Sequence, residues 1–238
     1  MSIHLIGDLH SDLPRLNSLI KQMKPGDTMI SCGEISGLLW DGLEEKQLLD
    51  YLESLPMQFT FIDGNHDNFS AIYSYPVETW NGGKVHKIRN NVFHLMRGQV
   101  FEFKIEDLKF FTFGGGYSID KDMRITDKNN ENANWWEEEM PNQEEYDEGK
   151  RNLEKHNWTV DYIITHTLNK ESIPILAGLE RYNGIKQSCP KELPLNYYLE
   201  DIRKFTSYKE WFFGHFHKDR RIDFTRQTCL FLDTVKLQ

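Results

Sequence analysis

Five points of the sequence place side chains that can bind a metal directly after a short apolar run. The pattern is clearest at residues 59–67, where Phe-Thr-Phe-Ile-Asp leads into Gly-Asn-His-Asp. The apolar run predicts a buried strand, and the polar tail predicts a turn that carries functional side chains. The other four points share this format. The side chains at the five points are Asp8 and His10, Glu34, Asn65 and His66, His166, and His215 and His217.

The residue types at these points favour a site for divalent metal ions. Asp8 and His10 are two residues apart just after a predicted strand, and on extended backbone such side chains point the same way. A carboxylate beside an imidazole suits ions such as Mn, Fe, Zn or Co. Five of the nine histidines lie at the five points, where packing in a core would favour apolar residues. Taken together, the five points predict a metal site.

Helix capping is the alternative function for the acidic residues of the first point. Asp12 is followed by Pro14, and this combination is typical of a helix start, so a helix is predicted from there to about Lys24. We take Asp12 as a cap. For Asp8 considered alone, capping and metal binding are both open.

The first third of the sequence alternates strand and helix. Strands are predicted at 2–6, 28–32 and 57–62, and the second helix is predicted to begin at Asp41 and to end near Leu55. This order implies parallel strands joined by right-handed crossovers. Open α/β sheets bind ligands at the carboxyl ends of their strands. Later elements are predicted as strands at 108–113, 160–164 and 210–213, hairpins joining 92–96 to 99–105 and 221–224 to 229–234, and a helix at 195–205.

Residues 117–141 form a polar segment that is predicted to interrupt the sheet near the active site. Its two adjacent tryptophans, Trp135 and Trp136, are predicted to pack over the core, and a wall or lid beside the active site is the alternative. The acidic run at 137–139 is predicted to be a solvated face. Asn142 and Glu145 then have the spacing of a capping box at the start of another helix.

Two further histidines and three basic residues are predicted to have no part in catalysis. His86 and His94 lack a ligand partner at motif spacing, so both are predicted to be ordinary surface or strand histidines. The basic side chains predicted to be solvated at the surface, with substrate binding from loops as the alternative, are Lys121, Arg124 and Lys170.

The composition limits the classes of protein to which this chain can belong. With 238 residues, 39% of them hydrophobic and 13% aromatic, the chain can form a sizeable core and is not expected to be disordered. No apolar run approaches the ~20 residues of a membrane span, and the first residues do not resemble a signal peptide. Three scattered cysteines exclude a disulfide framework, so we predict a cytoplasmic protein. The net charge of −9 argues against a stable nucleic-acid partner.

The order of the motifs resembles the calcineurin-like metallophosphoesterase family. Asp-x-His, Gly-Glu, Gly-Asn-His-Asp, His and Gly-His-x-His follow one another between Ile3 and His217, which is nearly the whole chain. The stretch from Gly114 to Tyr146 is also similar to a bacterial or phage subgroup of small members. The resemblance implies one domain over residues 1–238, with an α/β (α+β) fold. The implied architecture is a four-layer αββα sandwich of two mixed sheets flanked by helices, with a dinuclear metal site at the C-terminal strand ends.

The resemblance also implies a set of metal ligands. Asp8, His10 and His217 would hold one ion, and Asn65, His166 and His215 the other. Glu34 would bridge the two ions, at a position where the family usually has aspartate. This glutamate keeps the charge and both oxygens on a side chain that is one methylene longer. The implied cofactors are two divalent ions, with Mn favoured and Fe, Zn, Co or Ni as alternatives.

Two-metal chemistry then indicates the reaction. A hydroxide that bridges the ions would attack phosphorus in line with the leaving group. His66 would protonate the leaving oxygen, and Asp67 would orient its imidazole.

The motifs indicate the type of reaction more closely than they indicate the substrate. Protein Ser/Thr phosphatases of the family carry arginines just after Gly-Asp and Gly-Asn-His-Glu, whereas this chain has Ile-Ser-Gly-Leu at 35–38 and Asn-Phe-Ser at 68–70. A phosphatase or phosphodiesterase acting on small or nucleotide substrates is therefore preferred, and a nuclease is the second choice. A scaffold protein that has lost catalysis is the alternative from another class. Such members typically lose the histidine of the Gly-Asn-His turn, which is present here as His66.

Overall fold

The computed structural model describes residues 2–10, 12–35, 43–104, 107–122, 135–178 and 189–237. Asp41, Arg124 and residues 36–38, on which predictions were made above, lie outside the described residues. None of the described helices has the length and apolar character that a bilayer span requires.

The described residues form strands and helices in an alternating order that matches the predicted start of the chain. The strands are β1 (Ile3–Ile6), β2 (Thr28–Ser31), β3 (Gln58–Phe61), β4 (Val77–Trp80), β5 (Gly83–Arg89), β6 (Val92–Leu95), β7 (Gln99–Phe103), β8 (Leu108–Phe113), β9 (Tyr162–Thr165), β10 (Glu210–Phe213), β11 (Arg220–Ile222), β12 (Gln227–Cys229) and β13 (Thr234–Leu237). The helices are α1 (Leu13–Ile20), α2 (Leu43–Glu53), α3 (Phe69–Ser74), α4 (Gln143–Lys155), α5 (Ile173–Gly178) and α6 (Leu193–Phe205), with short 3-10 turns at Glu137–Glu139 and Asp223–Thr225.

The strands build two mixed sheets. In the described residues the first sheet has the order β13-β1-β2-β3-β6-β5-β4, and the second has the order β11-β12-β10-β9-β8-β7. In the first sheet, β1, β2, β3 and β6 run parallel to one another. In the second sheet, β8, β9, β10 and β12 run parallel to one another. Both sheets have antiparallel strands at their edges. The carboxyl ends of the central strands of each sheet therefore share one edge.

Three apolar clusters separate four layers. One cluster lies between α1, α2, α3 and the first sheet, with Leu16, Leu49 and Phe59 among its members. A second lies between the two sheets, and a third joins the second sheet to α4, α5 and α6. Because each sheet is covered on both faces, its central strands are buried along almost their whole length and show no alternation of buried and exposed residues. The predicted sandwich of two mixed sheets flanked by helices is confirmed.

Two helix starts follow the predicted capping chemistry. The Asp12 carboxylate accepts a hydrogen bond from the backbone N–H of Arg15 at 3.0 Å, with Pro14 in the first turn of α1. In α4, Asn142 Oδ1 accepts from the Glu145 N–H at 3.1 Å, and Glu145 accepts from the Asn142 N–H at 2.8 Å. Both pairings satisfy N–H groups that the first helical turn leaves open.

The predicted hairpin joining 92–96 to 99–105 is wrong. The strand β6 pairs with β3 and β5 in the first sheet, whereas β7 pairs with β8 in the second sheet. The chain crosses between the sheets through Gly98, whose φ of +71° favours glycine. A Cβ at Gly98 would also lie 2.7 Å from the backbone of Gly149 in α4. Two apolar strands in sequence fit either arrangement, so their pattern alone does not determine the sheet.

Of two other local predictions, one is confirmed and one is wrong. His86 and His94 lie in strands, as one of the two predicted alternatives had it, and both are buried, with their Nδ1 atoms 2.9 Å apart. Glu139 is also buried, although Glu137 and Glu138 are exposed as predicted. Its carboxylate accepts a hydrogen bond from the backbone N–H of Ser118 at 3.2 Å, and this partner lies too far away in sequence for the acidic run to predict it.

Candidate metal centre

All the predicted ligands lie just beyond the carboxyl ends of five parallel strands. The first sheet contributes those after β1, β2 and β3, and the second contributes those after β9 and β10. Several hydrogen bonds join the sheets at this edge. The backbone N–H of His215 donates to Asp8 Oδ2 at 2.8 Å, and His166 Nδ1 lies 2.9 Å from the backbone oxygen of Cys32.

One group of side chains brings together Asp8, His10, Glu34 and His217. One ligand atom from each lies within 4.8 Å of all the others. His10 Nε2 is 2.7 Å from His217 Nε2 and 2.7 Å from Glu34 Oε2. His217 Nε2 is 3.4 Å from Asp8 Oδ2. Four donor atoms therefore surround one point, and two of them come from the first sheet's β1 end.

A second group brings together Glu34, Asn65, His166 and His215. Asn65 Oδ1 lies 3.0 Å from His166 Nε2 and 3.0 Å from His215 Nδ1, and these two nitrogens are 3.2 Å apart. Glu34 Oε1 is 3.7 Å from His166 Nε2. Glu34 is thus the one side chain that the two groups of described residues share.

The buried carboxylates favour positive charge at His166 and His217, whereas burial lowers the pKa of His215. Burial alone would raise the pKa of Glu34, but hydrogen bonds with His10, His166 and His217 hold it well below its ordinary value. Burial alone would lower the pKa of His166, but Glu34 and Asp8 raise it to about 10. Hydrogen bonds with Asp8 and Glu34 raise the pKa of His217 to about 9. The carboxylates therefore create a negative field that would equally stabilise a divalent cation.

The donor set passes three tests of fit to divalent ions. Asp8 Oδ1 is buried and accepts no hydrogen bond from any described residue, as expected of an oxygen reserved for an ion. Adjacent ligands of an octahedral ion with bonds of about 2.1 Å lie about 3.0 Å apart, close to the spacing in the second group. Imidazoles combined with carboxylates and an amide oxygen are suitable ligands for borderline ions such as Mn, Fe, Co or Zn.

Four of these residues have left-handed backbone, which non-glycine residues rarely adopt. The φ angles are 43° at His10, 46° at Glu34, 66° at His215 and 50° at His217. Such strain persists only where the surrounding structure imposes it, and it concentrates at functional sites. The sequence gives no signal for it.

Two glycines leave room for the ligands. A Cβ at Gly214 would lie 2.1 Å from Asp8 Oδ1, and one at Gly64 would lie 2.4 Å from Glu34 Cγ. Since Gly64 faces the extra methylene of Glu34, the glutamate fits between the two groups without a clash.

His66 and Asp67 lie at the same edge. His66 Nε2 is 3.7 Å from Glu34 Oε1 and 3.1 Å from Asn65 Nδ2, so the amide donates to this ring nitrogen. Asp67 Oδ2 accepts a hydrogen bond from the backbone N–H of Gly64 at 2.7 Å and thereby shapes the turn. Burial raises the pKa of Asp67 to about 7. Orientation of the His66 imidazole by Asp67 stays a prediction.

Sequence reasoning missed Glu192. This buried carboxylate, at the start of α6, lies 3.6 Å from His215 Nε2 and accepts a hydrogen bond from the backbone N–H of Tyr117 at 3.2 Å. Its charge opposes the effect of burial, which lowers the pKa of His215. Glu192 lies in no recognisable motif, so only the fold identifies it.

The two tryptophans of the polar segment are half-buried. Trp136 Nε1 donates a hydrogen bond to Ser70 Oγ at 3.0 Å, on the helix that follows the turn of His66. Lys121 Nζ lies 3.5 Å from the centroid of the Trp135 ring. Packing of the two tryptophans over the core stays a prediction, with a wall or lid beside the active site as the alternative.

The model of one protein family matches residues 1–219 of the 238-residue chain. That family is the calcineurin-like phosphoesterases. This chain belongs to it. The resemblance inferred from the motifs is therefore confirmed. No curated protein matches the chain. Calcineurin-like phosphoesterases are generally hydrolases of phosphate esters that use metal ions, usually two divalent ions, and the two ligand groups described above could each hold one.

Proposed function

We propose that this calcineurin-like phosphoesterase hydrolyses phosphate monoesters or diesters of small or nucleotide substrates with the help of two divalent ions. The observation that carries the proposal is the convergence of two ligand groups on Glu34. A shared carboxylate between two groups of imidazole and oxygen donors is the arrangement that holds two ions close together.

Each group is assigned one ion. Asp8, His10 and His217 would hold the first ion, Asn65, His166 and His215 would hold the second, and Glu34 would be shared between them. We propose Mn as the ion, since the donors mix carboxylate, amide and imidazole. Bound ions would polarise the phosphoryl oxygens and lower the pKa of water at the site.

His66 supplies the proton in this proposal. Its side chain is 21% exposed, beside Glu34, so one face of the ring reaches the solvent from which a substrate enters. It donates the proton to the leaving oxygen, and Asp67 orients its ring. The ligands of both groups and His66 are all retained, which supports an enzyme over a scaffold.

The residues after the Gly-Asn-His-Asp turn favour a small substrate. Asn68 caps α3 by accepting the Ala71 N–H at 3.0 Å, and Phe69 is fully buried. Neither side chain can bind a phosphoprotein in the way that an arginine would. The net charge of −9 places a nuclease second. We propose the cytoplasm as the location because Cys32, Cys189 and Cys229 are free thiols.

The test compares p-nitrophenyl phosphate with bis-p-nitrophenyl phosphate, each with added Mn²⁺ and with a chelator. We expect turnover of at least one ester, lost with chelator and restored by Mn²⁺. Preference for the diester would indicate a phosphodiesterase and nucleotide diesters as the next substrates, and preference for the monoester would indicate a phosphatase. Turnover that is insensitive to chelator, or none with a protein that binds no metal, would contradict the proposal.

A further inference from the structure

Ser118 lies against the side-chain amide of Asn65, which is 53 residues away in sequence. Asn65 Nδ2 donates a hydrogen bond to Ser118 Oγ at 3.0 Å. Ser118 Oγ in turn donates to the backbone oxygen of Asn65 at 3.3 Å. Both residues are buried, at 1% exposure for Ser118 and 3% for Asn65, so water does not compete for these bonds.

This pair of hydrogen bonds distinguishes the two ends of the amide. The Ser118 hydroxyl proton has acceptors other than the amide, in the backbone oxygen of Asn65 and the carboxylate of Glu139, so the oxygen can face the amide with a lone pair. A lone pair attracts the amide nitrogen and repels the amide oxygen. Ser118 therefore keeps Nδ2 on its own side and turns Oδ1 toward His166 and His215.

Only the oxygen of an asparagine side chain can bind a cation, since the amide nitrogen has no lone pair to offer. In the metal-free arrangement, protonated imidazole nitrogens can donate to Oδ1 and hold it in place. Imidazoles that bind an ion present lone pairs instead and lose this hold. A bound ion would then attract Oδ1, and the acceptors for Nδ2, which are Ser118 Oγ and His66 Nε2, would hold the nitrogen end of the amide.

Ser118 is itself held by the polar segment. Its backbone N–H donates to Glu139 Oε1 at 3.2 Å. The backbone oxygen of Glu139 accepts from the Gly116 N–H at 3.2 Å and from Arg97 Nη2 at 3.3 Å. The described parts of residues 117–141 thus reach the candidate second ion site through a continuous set of buried hydrogen bonds.

We propose that Ser118 is a positioning residue that locks the Asn65 amide with its oxygen toward the second ion. This inference rests on the proposed function. It assigns the polar segment a role in metal binding.

The test is calorimetric titration of Mn²⁺ into chelator-stripped protein. We expect two ions to bind to the original protein. Ser118→Ala should weaken one of them about 10–100-fold, as loss of an outer partner of a ligand does, and leave the other unchanged. Ser172→Ala is the matched control, since it removes an equally buried hydroxyl that makes no hydrogen bond with the described residues.

Asn65→Asp separates orientation from packing. A carboxylate has two equivalent oxygens and needs no lock, so adding Ser118→Ala to Asn65→Asp should leave the affinity of the single variant unchanged. If Ser118→Ala proves unfolded in a thermal melt, Ser118→Cys fills the same space with a poor acceptor and is expected to give the same selective loss.

Three results would overturn the inference, and they are distinguishable. Unchanged binding of both ions by Ser118→Ala would show that Ser118 does not orient the Asn65 amide, and would leave the proposed function intact. An equal loss in the Asn65→Asp background would mean that the hydroxyl acts by some route other than the amide. If the original protein binds no Mn²⁺, both the proposed function and the role of Ser118 in orienting Asn65 are contradicted.

Discussion

Replacement of His66 with alanine is expected to lower kcat by about 10²–10⁴-fold, the range for loss of a general acid. Both ions should stay bound at saturating Mn²⁺, because His66 is assigned to neither ligand group and Ser118 Oγ still accepts from the Asn65 amide. The side chain is partly exposed and lies 3.7 Å from Glu34, so it borders the proposed ions on the side that a substrate can reach. The measurement is steady-state turnover with saturating Mn²⁺, with metal content determined on the same samples.

A series of leaving groups makes this prediction sharper. A p-nitrophenolate leaves without much help from an acid, whereas an alkoxide needs the proton. The loss in His66→Ala should therefore grow with the pKa of the leaving alcohol. His156→Ala is the matched control, since His156 forms the end of α4 and is outside both ligand groups. Full activity of His66→Ala would remove His66 from the mechanism, and an equal loss for every leaving group would exclude it as the acid.

Replacement of Arg97 with methionine is expected to destabilise the protein by about 3–5 kcal/mol, the cost of leaving a buried charge without its partner. Arg97 Nε and Nη2 donate to Asp63 Oδ2 at 2.9 and 2.6 Å, and both side chains are at most 2% exposed. Burial alone would raise the pKa of Asp63, but Arg97 and His94 hold it well below its ordinary value. The measurement is urea denaturation with chelator present, so that metal binding does not contribute.

Two comparisons show whether the buried charge is the cause. Adding Asp63→Asn to Arg97→Met should recover part of the lost stability, because the orphaned carboxylate is removed. Arg151→Met breaks an exposed pair with Glu144 of similar length, at 2.6 Å, and should change stability by at most about 1 kcal/mol. A loss for Arg97→Met no larger than that for Arg151→Met would contradict the account.

The position of the site could be predicted from the sequence because it follows from simple rules. Short apolar runs that alternate with helices predict parallel strands, and their carboxyl ends meet at one edge. Residue types with affinity for metals directly after those runs then predict where the ligands lie. The two groups around Glu34 combine the residues that the motifs indicated.

Other features depended on contacts between distant segments, which no local pattern contains. The apolar strands β6 and β7 fit a hairpin in sequence, yet they belong to different sheets. Glu192 lies in a stretch without a motif, and the similarity of residues 114–146 to a subgroup of the family assigns Ser118 no role. Only the fold brings Glu192 to His215 and Ser118 to Asn65. The left-handed backbone of Glu34 is imposed by its surroundings, since glutamate does not favour it.

The most direct test of the central claim is anomalous diffraction from crystals of the protein grown with Mn²⁺. We expect two peaks at the carboxyl edge of the sheets, about 3.5–4 Å apart as in two-metal sites, with Glu34 in contact with both. A single peak away from Glu34, or two peaks that Glu34 does not join, would contradict the shared carboxylate on which the proposed function rests.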